Sequence, residues 1–98
     1  MSGVMTGTST FEIVSQMLGD ICEVQIDKIT VESNVIDDLG VDSLDFLDLT
    51  YEIDKKFGIK LPVEDWIEKI NKGDASINDY FVIEKLVGTI DILAANNH

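Results

Sequence analysis

Residues 40 to 49 read Gly40-Val41-Asp42-Ser43-Leu44-Asp45-Phe46-Leu47-Asp48-Leu49, an acid-flanked loop that turns into an amphipathic helix at Ser43. Asp42 is placed to cap free amides of the first turn, and Asp45 adds negative charge near the positive end of the helix dipole. Phe46, Leu49, Thr50, Ile53 and Phe57 share one helical face, the expected core face. Leu44, Leu47 and Tyr51 fall on the opposite side, bordered by Asp45, Asp48 and Glu52. Three large apolar groups in one outward stripe point to docking rather than to solvation. The serine itself has no base near it. A nucleophilic serine needs a histidine to take its proton, and the one histidine of the chain is His98 at the far end. Ser43 therefore reads as a point of covalent attachment. A phosphate esterified there would lie at a helix amino terminus, where unpaired amides and the dipole favour an anion. Gly40 can take backbone angles that leave the hydroxyl exposed. The plain alternative is that Asp-Ser is no more than a helix start, since both residues are common caps.

Outward from this stretch the pattern stays helical. Phe11, Val14, Leu18 and Ile21 fall at steps of three and four, widened by Ile13, Met17 and Cys22, with Ser9 or Thr10 as the cap. Gly19 costs that helix about 1 kcal/mol relative to alanine, so it is expected to allow a close contact or to mark fraying. From Glu23 to Asp42 the periodicity breaks into a long loop pinned by Val24, Ile26, Ile29, Val31, Val35, Ile36 and Leu39. Gly58 ends the second helix, and Pro62 opens a short one through Val63, Trp66, Ile67 and Ile70. After a turn at Gly73, Ser76 with Asp79 forms a capping pair for one final helix carrying Tyr80, Phe81, Ile83, Leu86, Val87, Ile90 and Leu93. The predicted class is all-α: a small bundle of three longer helices and a shorter one, with a long loop between the first two. Residues 1 to 8 read as a flexible leader, 9 to 95 as one folded domain and 96 to 98 as a flexible end.

Composition narrows the function. The 98 residues carry 19 acids against 7 lysines and no arginine, a formal charge of -12. Nucleic acid, which requires cationic neutralisation, is excluded, and anionic membrane surfaces are disfavoured. Basic patches on partner proteins are attracted instead. Between Ile29 and Asp54 there are eight acids and no lysine, so the apolar stripe has a wholly acidic surround. Cys22 is the only cysteine, which excludes an intramolecular disulfide and a thiolate cluster. With neither a signal pattern nor an apolar run of spanning length, a cytoplasmic monomer without membrane insertion is expected. A calcium loop centred on Gly40 fails, because Val35, Leu39 and Phe46 fall at liganding positions. No metal site is expected.

The run Asp38-Leu39-Gly40-Val41-Asp42-Ser43-Leu44-Asp45, with the amphipathic helix to Phe57 and then Ile59 to Pro62, resembles the acyl carrier proteins. With Trp66, the residues before Ser76 and Asp79-Tyr80-Phe81-Val82, it is similar more narrowly to carriers that handle very-long-chain fatty acids for lipid A in rhizobia and related alphaproteobacteria. The resemblance implies that a phosphopantetheinyl transferase adds a 4'-phosphopantetheine arm from coenzyme A to Ser43. The chain is then a substrate and not an enzyme. Acyl groups ride on the arm as thioesters, sheltered between the helices. The implied partners are the transferase, ketoacyl synthases and other fatty-acid synthesis enzymes, and an acyltransferase. Carried over by position, Asp42, Leu44, Asp45, Leu47, Asp48, Tyr51 and Glu52 form the recognition surface, extended by Glu64 and Asp65. Phe46 on the core face and Tyr51 in place of a flexible aliphatic depart from the common pattern. Within this class, the alternatives are a general fatty-acid carrier or one for polyketide or amino-acyl units. An unmodified acidic adaptor is the rival of another class.

Overall fold

The computed structural model describes residues 9 to 96. Five helices follow one another: α1 (Thr10–Cys22), α2 (Ser43–Phe57), α3 (Val63–Lys72), α4 (Ile77–Phe81) and α5 (Ile83–Asn96). A single 3-10 turn at Ile26–Lys28 interrupts the long loop. Among the described residues no strand forms, consistent with the all-α expectation of three longer helices (α1, α2, α5) and a shorter one (α3). The expected leader at 1 to 8 and the last residues, 97 and 98, lie outside the described residues.

Local chemistry sets the helix ends. Ser9 caps α1: its hydroxyl accepts from the Glu12 amide at 3.2 Å, and the Glu12 carboxylate accepts from the Ser9 amide at 3.3 Å. Gly19 does not fray the helix. A Cβ there would meet the Ile26 side chain at 3.2 Å, so the glycine lets the 3-10 turn lie close against α1. Between α2 and α3, the Asp54 carboxylate accepts from the Leu61 amide at 2.9 Å and fixes the connection.

α1 packs on α2 and α5, and the core between them holds Val14, Leu18, Leu49, Ile53, Ile83, Leu86 and Ile90. Ile29, Val35 and Val41 enter the same core from the loop, while Ile26 and Val31 remain exposed. The loop is therefore anchored most deeply at about every sixth residue, with Val24, Ile36 and Leu39 half-buried against the same core.

One expectation is corrected. The final helix is not continuous from Ser76; it breaks at Val82, whose backbone is extended (φ -73°, ψ 135°). The cause is pairing with the loop: Val82 forms an antiparallel bridge with Asn34, the Val35 amide donates to the Phe81 carbonyl at 2.9 Å, and the Ile83 amide donates to the Ser33 carbonyl at 2.8 Å. Splitting the helix turns α4 out as a separate one-turn wall. Its Tyr80 stacks on Trp66 of α3, with ring centroids 5.0 Å apart and planes 6° from parallel.

Candidate functional site

The loop that delivers Ser43 is organised by Asn34, which is buried (3% exposed). Its side-chain oxygen accepts from the amides of Ile36 and Asp37 at 2.9 and 3.0 Å. Its carbonyl accepts from Asp38 and Leu39, and its own amide donates to the Asp38 carboxylate at 2.8 Å. The side-chain nitrogen donates to Asn78 of α4, also at 2.8 Å. Gly40 then takes a left-handed turn (φ 71°), a conformation that costs other residues energy. Val41 drops into the core, and Asp42 begins α2.

Asp42 satisfies two first-turn amides at once: its carboxylate accepts from Asp45 at 2.9 Å and its carbonyl from Phe46 at 2.9 Å. That leaves the Ser43 and Leu44 amides as the open donors of the helix end. Ser43 is exposed, and its hydroxyl has no hydrogen-bond partner among the described residues. Immediately beside it opens a cleft of about 210 Å³ lined by Ile36, Phe46, Leu47, Ile67, Ile70, Asn71, Ile77 and Phe81. A free hydroxyl, two unsatisfied amides and an adjoining apolar cleft suit a phosphodiester-linked arm with a lipophilic end. The surrounding acids supply no cation for the phosphate, so the helix end is what favours it.

The outward stripe is in place, with Leu44 at 74%, Tyr51 at 63% and Leu47 at 43% exposure. Asp42 and Asp48 are exposed beside it, with Asp45 and Glu52 half-buried. Lys55 closes one end, with its ammonium 5.4 Å above the Tyr51 ring and 3.9 Å from Glu52. Glu64 and Asp65 are exposed on the first turn of α3, where Asp65 pairs with Lys69 at 3.2 Å. Behind the stripe, the Cys22 thiol contacts the Asp45 carbonyl at 3.8 Å. Burial, then the charges of Asp45, Asp42 and Asp48, push that thiol up to about 11.

Leu47 serves two places, the outward stripe and the mouth of the cleft. The other walls escaped the sequence reading as a site. Ile67, Ile70, Ile77 and Phe81 look like ordinary core positions on a helical wheel, and only the folding of α4 against α3 leaves space between them. Trp66, by contrast, is simply packed: 4% exposed, stacked on Tyr80 and edge-on to Phe81.

Such a site suits a carrier of a phosphopantetheine arm, and residues 12–71 match the family model described as a phosphopantetheine attachment site. An acyl carrier protein AcpXL of Mesorhizobium japonicum is 52% identical over 88 residues, covering 90% of this chain and 95% of the relative. The AcpXL of Brucella melitensis is 48% identical over the same length. An acyl carrier protein of Petrotoga mobilis is 34% identical over 74 residues, covering 76% of this chain and 86% of the relative. The chain belongs to the acyl carrier proteins, of a specialised type, and bears covalent 4'-phosphopantetheine. It works with the transferase that adds the arm and with enzymes of acyl synthesis and transfer.

Proposed function

We propose that Ser43 is the residue that bears the arm, and that the carrier holds very-long-chain hydroxy fatty acids for lipid A assembly in the cytoplasm. The observation that carries the first part is the unpartnered Ser43 hydroxyl at the α2 amino terminus, beside two open amides and the mouth of the apolar cleft. When bound, the arm supplies a thiol on which acyl groups are held as thioesters. The chain's own residues present and protect. Asp42 holds the first turn so that the serine projects outward, and Phe46, Ile70, Ile77 and Phe81 offer the cargo a dry surface. The second part rests on the likeness to the AcpXL proteins and on the resemblance carried by Trp66 and Asp79-Tyr80-Phe81-Val82.

Partners of basic surface dock on Asp42, Leu44, Asp45, Leu47, Asp48, Tyr51 and Glu52, with Glu64 and Asp65 at the edge. Exposed apolar side chains in an acidic rim support that reading: charge speeds encounter and apolar contact holds the complex. The test is incubation with a phosphopantetheinyl transferase, coenzyme A and magnesium, read by intact mass. One arm is expected on the native chain and none on Ser43→Ala, whose melting midpoint stays unchanged because the hydroxyl makes no internal bond. An arm on Ser43→Ala refutes the assignment. Mass analysis of the cargo on protein recovered from the producing cells checks the lipid role; short or amino-acyl groups alone reject it.

A further inference from the structure

Tyr51 stands at the crest of the outward stripe, 63% exposed, and a cation of the chain's own already lies against its ring. The Lys55 ammonium is 5.4 Å from the ring centroid and 3.9 Å from the Glu52 carboxylate. At that distance the negative face of the ring attracts it. The hold is loose. Lys55 keeps 61% of its side chain in solvent, and its pair with Glu52 is the longest of the three ion pairs among the described residues. Lys56 is also exposed and has neither a ring nor an ion-pair contact among the described residues.

The same ring is one wall of a groove between α1 and α2, which Met17, Asp20, Ile21, Asp48 and Glu52 complete. Met17 and Ile21 give it an apolar side, three carboxylates give it charge, and no basic residue lines it. Such a groove is complementary to a cation on an aliphatic stem. Lys55 reaches two of its residues, Tyr51 and Glu52, without lining it. We propose that Lys55 is a built-in competitor: it holds Tyr51 and Glu52 in the free carrier and is displaced when an arginine of the docking enzyme takes that seat. A partner lysine would exchange one ammonium for another and gain little. A guanidinium gains, because it stacks on the ring and forks onto carboxylates such as Glu52 and Asp48. Lys55 thereby selects against partners whose surface is merely positive.

The enzyme that meets this competitor is the phosphopantetheinyl transferase. It must reach Ser43 itself, and Tyr51 lies only about 12 Å further along α2 at about 1.5 Å per residue. A standard interface, about 800 Å² on each partner, covers both. The competitor rests on the reading of α2 as the docking face and adds to it what a partner must push aside.

The experiment measures kcat and KM for arm addition to the full apo chain by a phosphopantetheinyl transferase, with coenzyme A and magnesium, at about 150 mM ionic strength. Lys55→Gln and Lys56→Gln remove the same charge from neighbouring positions. Lys55→Gln is expected to raise kcat/KM by about two- to fivefold more than Lys56→Gln, through KM and with kcat unchanged. Lys55→Arg keeps the charge but grips the ring harder, and is expected to lower kcat/KM about twofold. On a Tyr51→Leu background both differences vanish. Equal gains for the two glutamine variants overturn the competitor, as does a Lys55→Arg chain that matches or exceeds the native one, or a difference that survives Tyr51→Leu. If Tyr51→Leu with Glu52→Gln leaves native kinetics in place, the docking face itself is overturned and the competitor with it.

Discussion

Two groups with a hydrogen to lose lie near the head of α2, and the fold treats them in opposite ways. Ser43 is lifted into solvent, while Cys22 is half-buried behind Asp45. The Cys22 thiol, ordinarily at 9.0, is held up at about 11, first by burial and then by Asp45, Asp42 and Asp48. Thiolate is the reactive form, so at neutral pH this cysteine carries about a hundredfold less of it than a free thiol. A thiol-directed alkylating agent at pH 8 is therefore expected to label the arm and spare Cys22. Peptide mass mapping checks this, and the apo chain should take the label only as the pH nears 11. The same shift has a stability consequence of definite sign. Above pH 9 the unfolded thiol ionises while the folded one stays protonated, so stability falls as pH rises from about 9 to about 11. The departure at Phe46 also acquires a meaning at this scale. On the wheel it was a core residue; in space its ring also lines the cleft beside Ser43, edge to face with Phe81.

At the scale of elements, most of the architecture was legible because its signals are local. Ser9 with Glu12, Asp42 with Asp45, and Gly58 and Gly73 at left-handed helix ends all act within a few residues of themselves. The placing of Ser43 at the head of α2, just after the Asp42 cap and ahead of an amphipathic period, was legible for the same reason. The break at Val82 was not. Ile77, Phe81 and the residues of α5 keep a helical rhythm through it, with no glycine or proline to mark it, and the force that straightens Val82 comes from Asn34, far away in sequence. The cleft was hidden for a related reason: it is empty space between α3 and α4, and a one-dimensional pattern records side chains and not the gaps among them. Asn34 is thus the residue on which the undetected part depends. Asn34→Ala removes the acceptor of two amides and the bond to Asn78, and is expected to cost about 2 to 3 kcal/mol. The midpoint of thermal unfolding, followed by circular dichroism, should fall by about 10 °C or more. Asn78→Ala, which loses only the link to α4, should cost less.

For the whole molecule the dominant quantity is charge. The formal charge of -12 is spread over 98 residues, and the three ion pairs among the described residues are exposed pairs within single helices. Pairs of that kind contribute little, so self-repulsion of the acids is largely uncompensated. Raising the ionic strength from about 10 mM to about 150 mM shortens the screening length from about 30 Å to about 8 Å. The thermal midpoint is expected to rise with it. A midpoint flat or falling across that range would count against repulsion as a main cost of folding. Partner association should respond the other way, slowing as salt screens the attraction that brings a basic surface to α2.

The bridge between Asn34 and Val82 also bears on the order in which the protein is made. Synthesis runs from the amino terminus, so the segment that delivers Ser43 leaves the ribosome well before α4 exists to hold it. Until Phe81 has been added, the Val35 amide lacks its acceptor and Asn34 lacks Asn78. The loop between α1 and α2 lacks these bonds until nearly the last helix has emerged. A finished chain is in this sense the first form in which Ser43 sits in its final setting.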